Sequence, residues 1–245
     1  MSAEKALAER VILITGASRG IGRAVAIASA EAGATVVLLG REEATLGATY
    51  DAIVATGGAM PAIITLDLSV AHPELCQSVA EQIQATFGRL DGLVHNAADL
   101  GDITPMEMYD PDTFDRVMSI NLRAPFVLTQ ALLPLLKASP DASVIMTGSS
   151  VGRKARAFWG AYALSKFGVE GLTQLFAEEL KNTSNVRVNC VNPGATRTSM
   201  RASAYPGENP ESVKTPESIA HHYVHLLSEA ARGTTGQSID LTAQS

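Results

Sequence analysis

The chain has 245 residues, of which 46% are hydrophobic, 18% charged and 5% aromatic, with a formal net charge of -6. That length suits one α/β domain over 1–245 with a large core better than two small domains. An acidic surface poor in stacking platforms argues against nucleic acid as a partner. No apolar run approaches the ~20 residues of a membrane helix, and the polar start, Met1 to Arg10, lacks the pattern of a secretory leader. The expectation is a cytoplasmic chain with no membrane partner. Its two cysteines, Cys76 and Cys190, have neither disulfide-framework nor zinc spacing and read as reduced core thiols.

Short β-rich apolar runs alternate with longer amphipathic ones. Val11 to Ile14 reads as the first strand, and a glycine-rich turn, Thr15-Gly16-Ala17-Ser18-Arg19-Gly20-Ile21-Gly22, follows it directly. A helix is expected over Gly22 to Ala32, with Gly33 as its left-handed cap. Strands follow at Thr35 to Leu39 and Ala62 to Leu66. Ser69 ahead of Pro73, and Asp110 ahead of Pro111, mark helix starts, the first opening a helix over Pro73 to Phe87. Further strands are expected at Gly92 to His95, Ser143 to Thr147, Val186 to Val191 and Ser238 to Leu241, with a helix over Tyr162 to Lys181. Most strands lack strict alternation, as expected where both faces are buried. The order predicts a doubly wound, seven-stranded parallel sheet with helices on both faces. Met200 to Pro216, rich in Ser, Pro, Gly and Asn, is the one long irregular stretch and reads as a lid.

The glycine turn lies between a strand and a helix at the start of a βα chain, the context in which backbone amides and a helix N-terminus hold a pyrophosphate. Its Gly-x-x-x-Gly-x-Gly spacing resembles that of the short-chain dehydrogenase/reductase family, and the resemblance runs from Thr15 to Gly236. It implies a nicotinamide cofactor held by Gly16, Ser18, Arg19, Gly20, Ile21 and Gly22. The second strand ends Leu38-Leu39-Gly40-Arg41, with no acid until Glu42. An acid there would bind the ribose hydroxyls of NAD, whereas Arg41 and Arg19 suit a 2′-phosphate. The cofactor expected is therefore NADP(H). The resemblance adds Asp67 and Leu68 as an adenine-contacting pair, and Asn96 and Ala97 near the nicotinamide ribose. His95-Asn96-Ala97-Ala98 departs from the family's Asn-Asn-Ala-Gly at its first and last positions. Pro193, Gly194, Thr196 and Thr198 match the loop that packs on the nicotinamide.

Tyr162 and Lys166 stand four residues apart on a predicted helix, so their side chains share one face. A carbonyl receiving hydride needs a proton, and a phenol that normally titrates near 10 is a reluctant source. A neighbouring ammonium favours the phenolate and brings the pair into a useful range. By resemblance, Ser149, thirteen positions before Tyr162, binds the substrate oxygen. Asn121 is the fourth member, holding a helix distortion and a water that links Lys166 to solvent.

The reading is NADPH-dependent reduction of a ketone or aldehyde; the sequence most resembles bacterial members grouped with 3-oxoacyl-acyl-carrier-protein reductases but of unsettled substrate, with a 3-oxoacyl thioester as one candidate. Alternatives are an NADP(H) sensor or scaffold without turnover, and an NAD-linked alcohol dehydrogenase. A homodimer or homotetramer is implied by the resemblance. His221 and His225 have a metal-compatible spacing without a third ligand and read as a solvated helix face. Asp99 and Asp102 read as loop acids near the substrate mouth. Phe158 and Trp159 are placed equally well in the pocket, in packing or in a subunit contact.

Overall fold

Seven strands, all parallel, form one sheet in the order β3-β2-β1-β4-β5-β6-β7 in a computed structural model that describes residues 5–241. They are β1 (Val11–Thr15), β2 (Thr35–Gly40), β3 (Ala62–Thr65), β4 (Gly92–His95), β5 (Ala142–Thr147), β6 (Val186–Asn192) and β7 (Ser238–Asp240). Between them lie α1 (Gly20–Glu31), α2 (Glu43–Ala55), α3 (Pro73–Phe87), α4 (Pro111–Met118), α5 (Ala124–Ala138), α6 (Gly160–Leu180), α7 (Ser199–Ala204) and α8 (Pro216–Leu227).

Each central strand divides its side chains between two cores. Leu13, Val37, Leu93 and Val144 face a layer built with Ile83, Leu128, Leu132, Val169 and Phe176 of α3, α5 and α6. Ile12, Ile14, Val36, Val94 and Ile145 face the other layer, with Val25, Leu46, Ile53, Ile219, Tyr223 and Leu227 of α1, α2 and α8. This two-sided burial is why the strands read as continuous apolar runs. At their amino ends, Asp141 accepts from Arg10 at 2.5 Å and from Arg187 at 3.1 Å, and Ser139 donates to Asp91 at 2.6 Å. The strand order reverses between β1 and β4, leaving a crevice at their carboxyl ends where such sheets take ligands.

Three departures from the sequence reading bear on the site. α1 begins at Gly20, two residues early, because the last two glycines of the turn already lie in its first turn. Asp110 caps α4 as expected, accepting from Thr113 N, but α3 is preceded by His72 rather than Ser69, whose amide instead donates to Asp67. The stretch expected to be irregular contains α7 and a 3₁₀ turn at Pro210–Ser212, each opened by a capping side chain, Thr198 and Asn209.

Helices α4 and α5 are joined without a break by a π-helical turn, Ser119–Arg123. The resulting Pro111–Ala138 helix is long and apolar enough to cross a membrane by length and composition, which the sequence reading did not find. Half of its apolar window is buried in the fold, where Val117, Val127, Leu128 and Leu132 pack inward.

Candidate active site

The glycine turn leaves β1 with Gly16 at φ +64° and Gly20 at φ +56°, conformations that side-chain-bearing residues avoid. Gly22 has a different constraint. A Cβ there would meet the Gly16 carbonyl oxygen at 2.2 Å and Asn96 Nδ2 at 2.5 Å. A turn this tight, ending in the amides of α1, is a cradle that a nucleotide pyrophosphate fits.

Asn96 closes the cradle from β4, its Nδ2 donating to the carbonyls of Thr15 and Gly16, each at 3.3 Å. Thr15, absent from the expected site, completes the lock: its Oγ1 accepts from Asn96 N at 3.0 Å and Ala97 N at 3.1 Å. Its place in the motif was the available signal. Ser18 and Ile21 are half-buried along the turn, and Arg19 and Arg41 are exposed at its outer edge. Leu68 is buried. Asp67 is exposed, and one of its carboxylate oxygens accepts from Ser69 N at 2.9 Å, so a local turn already uses part of this residue.

On the far side of the crevice, Gly194 (φ +67°) turns the chain after β6 while Pro193 O accepts from Thr196 Oγ1 at 3.3 Å. Thr196 is buried, and Thr198 accepts from Arg201 N at 3.1 Å. A Cβ on Gly20 would lie 3.2 Å from Thr198 Cγ2, so this segment abuts the glycine turn. Met200, two residues on, packs against the Tyr162 cluster. The 193–200 segment therefore bridges the cradle and the polar pair.

Tyr162 and Lys166 are both buried on one face of α6. Burial pushes the Tyr162 phenol up to about 12, opposed by the Ser149 hydroxyl beside it. Lys166 Nζ lies 5.5 Å from the centre of the Tyr162 ring and donates to Thr147 O at 2.7 Å. Burial lowers it to about 8. Desolvation is the largest influence on the phenol, so its value stands above the ordinary one rather than below it, as a neighbouring ammonium alone would place it. Ser149 lies two residues beyond β5, and its Oγ accepts from Val151 N at 3.4 Å.

Asn121 sits in the π-helical turn, the expected helix distortion. Its Oδ1 accepts from Asp99 N at 2.8 Å, and its Nδ2 donates to Asp99 O at 2.8 Å and Ser165 Oγ at 3.0 Å. Ser165 Oγ in turn donates to Tyr162 O at 2.8 Å. The Asn121 side chain thus reaches the backbone of Tyr162 through Ser165, a residue with no local sequence signal. Asp99 is more than a solvated loop acid: besides framing Asn121, it accepts from Arg116 Nε at 2.8 Å.

His95, where the family pattern has Asn, is buried with its Nε2 2.8 Å from Thr129 Oγ1. Burial, reinforced by the Lys166 charge, lowers it from 6.5 to about 3. The folded value lies below the unfolded one, so this neutral imidazole stabilises the fold above pH 6.5 and that contribution is lost as pH falls toward 3. We expect a loss of about 2 kcal/mol between neutrality and pH 5. His95→Asn should flatten that dependence, read as the change in thermal midpoint between the two pH values. An equally steep loss in the variant would assign it elsewhere.

Among the described residues, no group of three or more His, Cys, Asp and Glu side chains is placed to hold a metal, and the His221 and His222 rings lie 3.9 Å apart, tilted by 37°. Cys76 and Cys190 are buried free thiols.

The profile of short chain dehydrogenases matches residues 10–209. The uncharacterized oxidoreductase YciK of Escherichia coli K12 is 48% identical over 96% of this chain and 92% of its own length. A short chain dehydrogenase of Shigella flexneri 2a, solved in complex with NADP, superposes with a TM-score of 0.94 at 48% identity over 97% of this chain and 99% of that one. One from E. coli CFT073, complexed with NADPH, gives 0.95 at 47% identity over 98% of this chain and 100% of that one. With this identity and coverage, the chain belongs to the short chain dehydrogenase family.

Proposed function

We propose that the protein is an NADPH-dependent carbonyl reductase in which Tyr162 protonates the oxygen of a ketone or aldehyde. One observation carries this reading: Tyr162 and Lys166 are buried together on one face of α6 with Ser149 beside the phenol. The adjoining cradle fits a dinucleotide, and the NADP and NADPH complexes of relatives near half identity support the phosphorylated cofactor.

When bound, NADPH supplies the hydride. Gly16, Gly20 and Gly22 let the backbone approach its pyrophosphate, with Ser18 and Ile21 along the turn. Arg19 and Arg41 meet the 2′-phosphate, and neither is in a salt bridge among the described residues. Asp67 and Leu68 would contact the adenine, Asn96 and Ala97 the nicotinamide ribose, and Pro193, Gly194, Thr196 and Thr198 the nicotinamide. Ser149 donates to the carbonyl oxygen, and Tyr162 delivers its proton there as negative charge develops. Lys166 keeps a positive charge near the phenolate left behind. Asn121 is a positioning residue that holds Asp99 and, through Ser165, the first turn of α6.

A homodimer or homotetramer accords with the exposed apolar side chains on the outer helices, Phe126 of α5 with Leu164, Phe167 and Leu175 of α6. Phe126 and Leu175 line a groove of about 750 Å³ between the α4–α5 segment and α6.

The test is consumption of NADPH and NADH against ketones, aldehydes, quinones and acyl-thioester mimics. NADPH turnover is expected. Tight NADPH binding with no turnover across the whole set would favour the sensor reading, and a preference for NADH the NAD-linked dehydrogenase.

A further inference from the structure

Resting on the reductase reading, we propose that the substrate is a neutral aryl ketone or aldehyde whose ring packs against Trp159, making Trp159 the specificity-determining residue. The Trp159 ring lies 5.7 Å from that of Tyr162 and 5.9 Å from that of Tyr205, both tilted. It thereby forms a wall joining the proton donor to the end of α7. Around it, Val151, Tyr162 and Ala163 form an apolar cluster with Leu100 and Met200. An aromatic body finds edge and face contacts there that an aliphatic chain of equal size does not.

The backbone holds Trp159 at a cost. Phe158, just before it, adopts φ +73°, rare for a bulky residue, and its carbonyl accepts from Thr104 N at 3.1 Å. Gly160, just after, has φ +40°, and a Cβ there would strike Tyr109 Cε2 at 2.2 Å. Strain of this kind persists only where the surroundings over-determine it, and it concentrates at ligand sites. Phe158 itself is 53% exposed whereas Trp159 is half-buried, so the strained turn brings Trp159 inward and leaves Phe158 outside.

Charge selects for a neutral ligand. Arg201, the cation of α7 on this wall, is already neutralised: Glu208 accepts from its Nε at 2.7 Å and its Nη2 at 2.5 Å. Its guanidinium carbon also lies over the Tyr205 ring, 3.7 Å from the ring centre. A substrate carboxylate would have to displace a bidentate partner and a stacked ring together.

Trp159 is the only tryptophan, so its emission reports this wall alone. The experiment titrates acetophenone into NADP⁺-loaded protein, since the oxidised cofactor does not absorb where tryptophan emits, with free tryptophan as the inner-filter control. Saturable quenching is expected. With NADPH, acetophenone should exceed cyclohexyl methyl ketone and benzoylformate in kcat/KM, the margin over the cyclohexyl compound being roughly two- to tenfold. Trp159→Ala should abolish that margin and Trp159→Phe retain part of it, while calorimetry shows NADP⁺ binding unchanged in both. Linear, non-saturable quenching would overturn the inference, whether or not any of the three compounds turns over. So would a preference for benzoylformate that Arg201→Gln removes, which would make Arg201 a carboxylate receptor. Failure to bind NADP⁺ at all would instead overturn the reductase reading.

Discussion

Tyr162→Phe is expected to lower NADPH-dependent turnover by about 10²- to 10⁴-fold, the range contributed by a positioned general acid. The substitution keeps the ring that packs on Trp159 and removes only the hydroxyl. Cofactor affinity and thermal midpoint should therefore stay close to those of the parent, which separates loss of the proton donor from loss of the fold. The pH profile of the parent carries a second signature. Lys166 is lowered by burial to about 8, whereas the phenol, raised to about 12, keeps its proton throughout the working range. Below pH 8 the lysine is an ammonium that favours the phenolate product, and above it that charge is lost. The reductive rate should consequently fall as pH rises through about 8, with the phenol still protonated. A variant retaining more than a tenth of parental turnover would place the proton source elsewhere, with Ser149 the first alternative.

What the sequence disclosed and what it hid divide along the range of the interactions. α3 was legible to the residue, Pro73 to Phe87, because a proline opens it and Gly88 at φ +69° closes it, both local devices. β4 was legible because its apolar run is buried on both faces and is bounded by the polar residues Asp91 and Asn96. The glycine turn and the Tyr162–Lys166 spacing were legible because tight turns and helical periodicity are set within a few residues. Hidden features depend on partners distant in the chain. Asn121 contacts Asp99 and Ser165, 22 and 44 residues away, and only that pairing makes sense of the π-helical turn. The depressed His95 and the raised Tyr162 reflect burial, which no motif encodes. The surroundings of Trp159 were hidden because Tyr205, which packs against it, lies 46 positions on. α7 was hidden for another reason: at six residues it is too short for periodicity to show, and a single capping threonine opens it.

Removing Arg19 and Arg41 together should change cofactor choice more than it changes catalysis. Arg19 immediately precedes α1 and its side chain makes no capping bond, so its guanidinium is not committed to the helix. Arg41 follows β2 at the adjoining strand end, near enough to Asp99 to favour that carboxylate. Two exposed cations at one edge of the cradle suit a dianionic 2′-phosphate, and Glu42 is too late in the chain to replace them with a ribose-binding acid. A hydrogen bond to a charged group contributes about 1.5–3 kcal/mol, so each arginine is expected to be worth roughly tenfold to a hundredfold in NADPH affinity. Because both address one phosphate, the double Ala variant should lose less than the product of the single losses. NADH, which lacks the phosphate, should bind the parent and the variants alike. The parental preference should also shrink with added salt, since the pair is exposed and screened. Arg41→Asp goes further, supplying the acid that the second strand lacks, and should raise NADH affinity while NADPH is repelled. If the double variant kept its NADPH preference, the phosphate would have to be held by backbone amides of the glycine turn, and the basic edge would be surface charge with no part in selection.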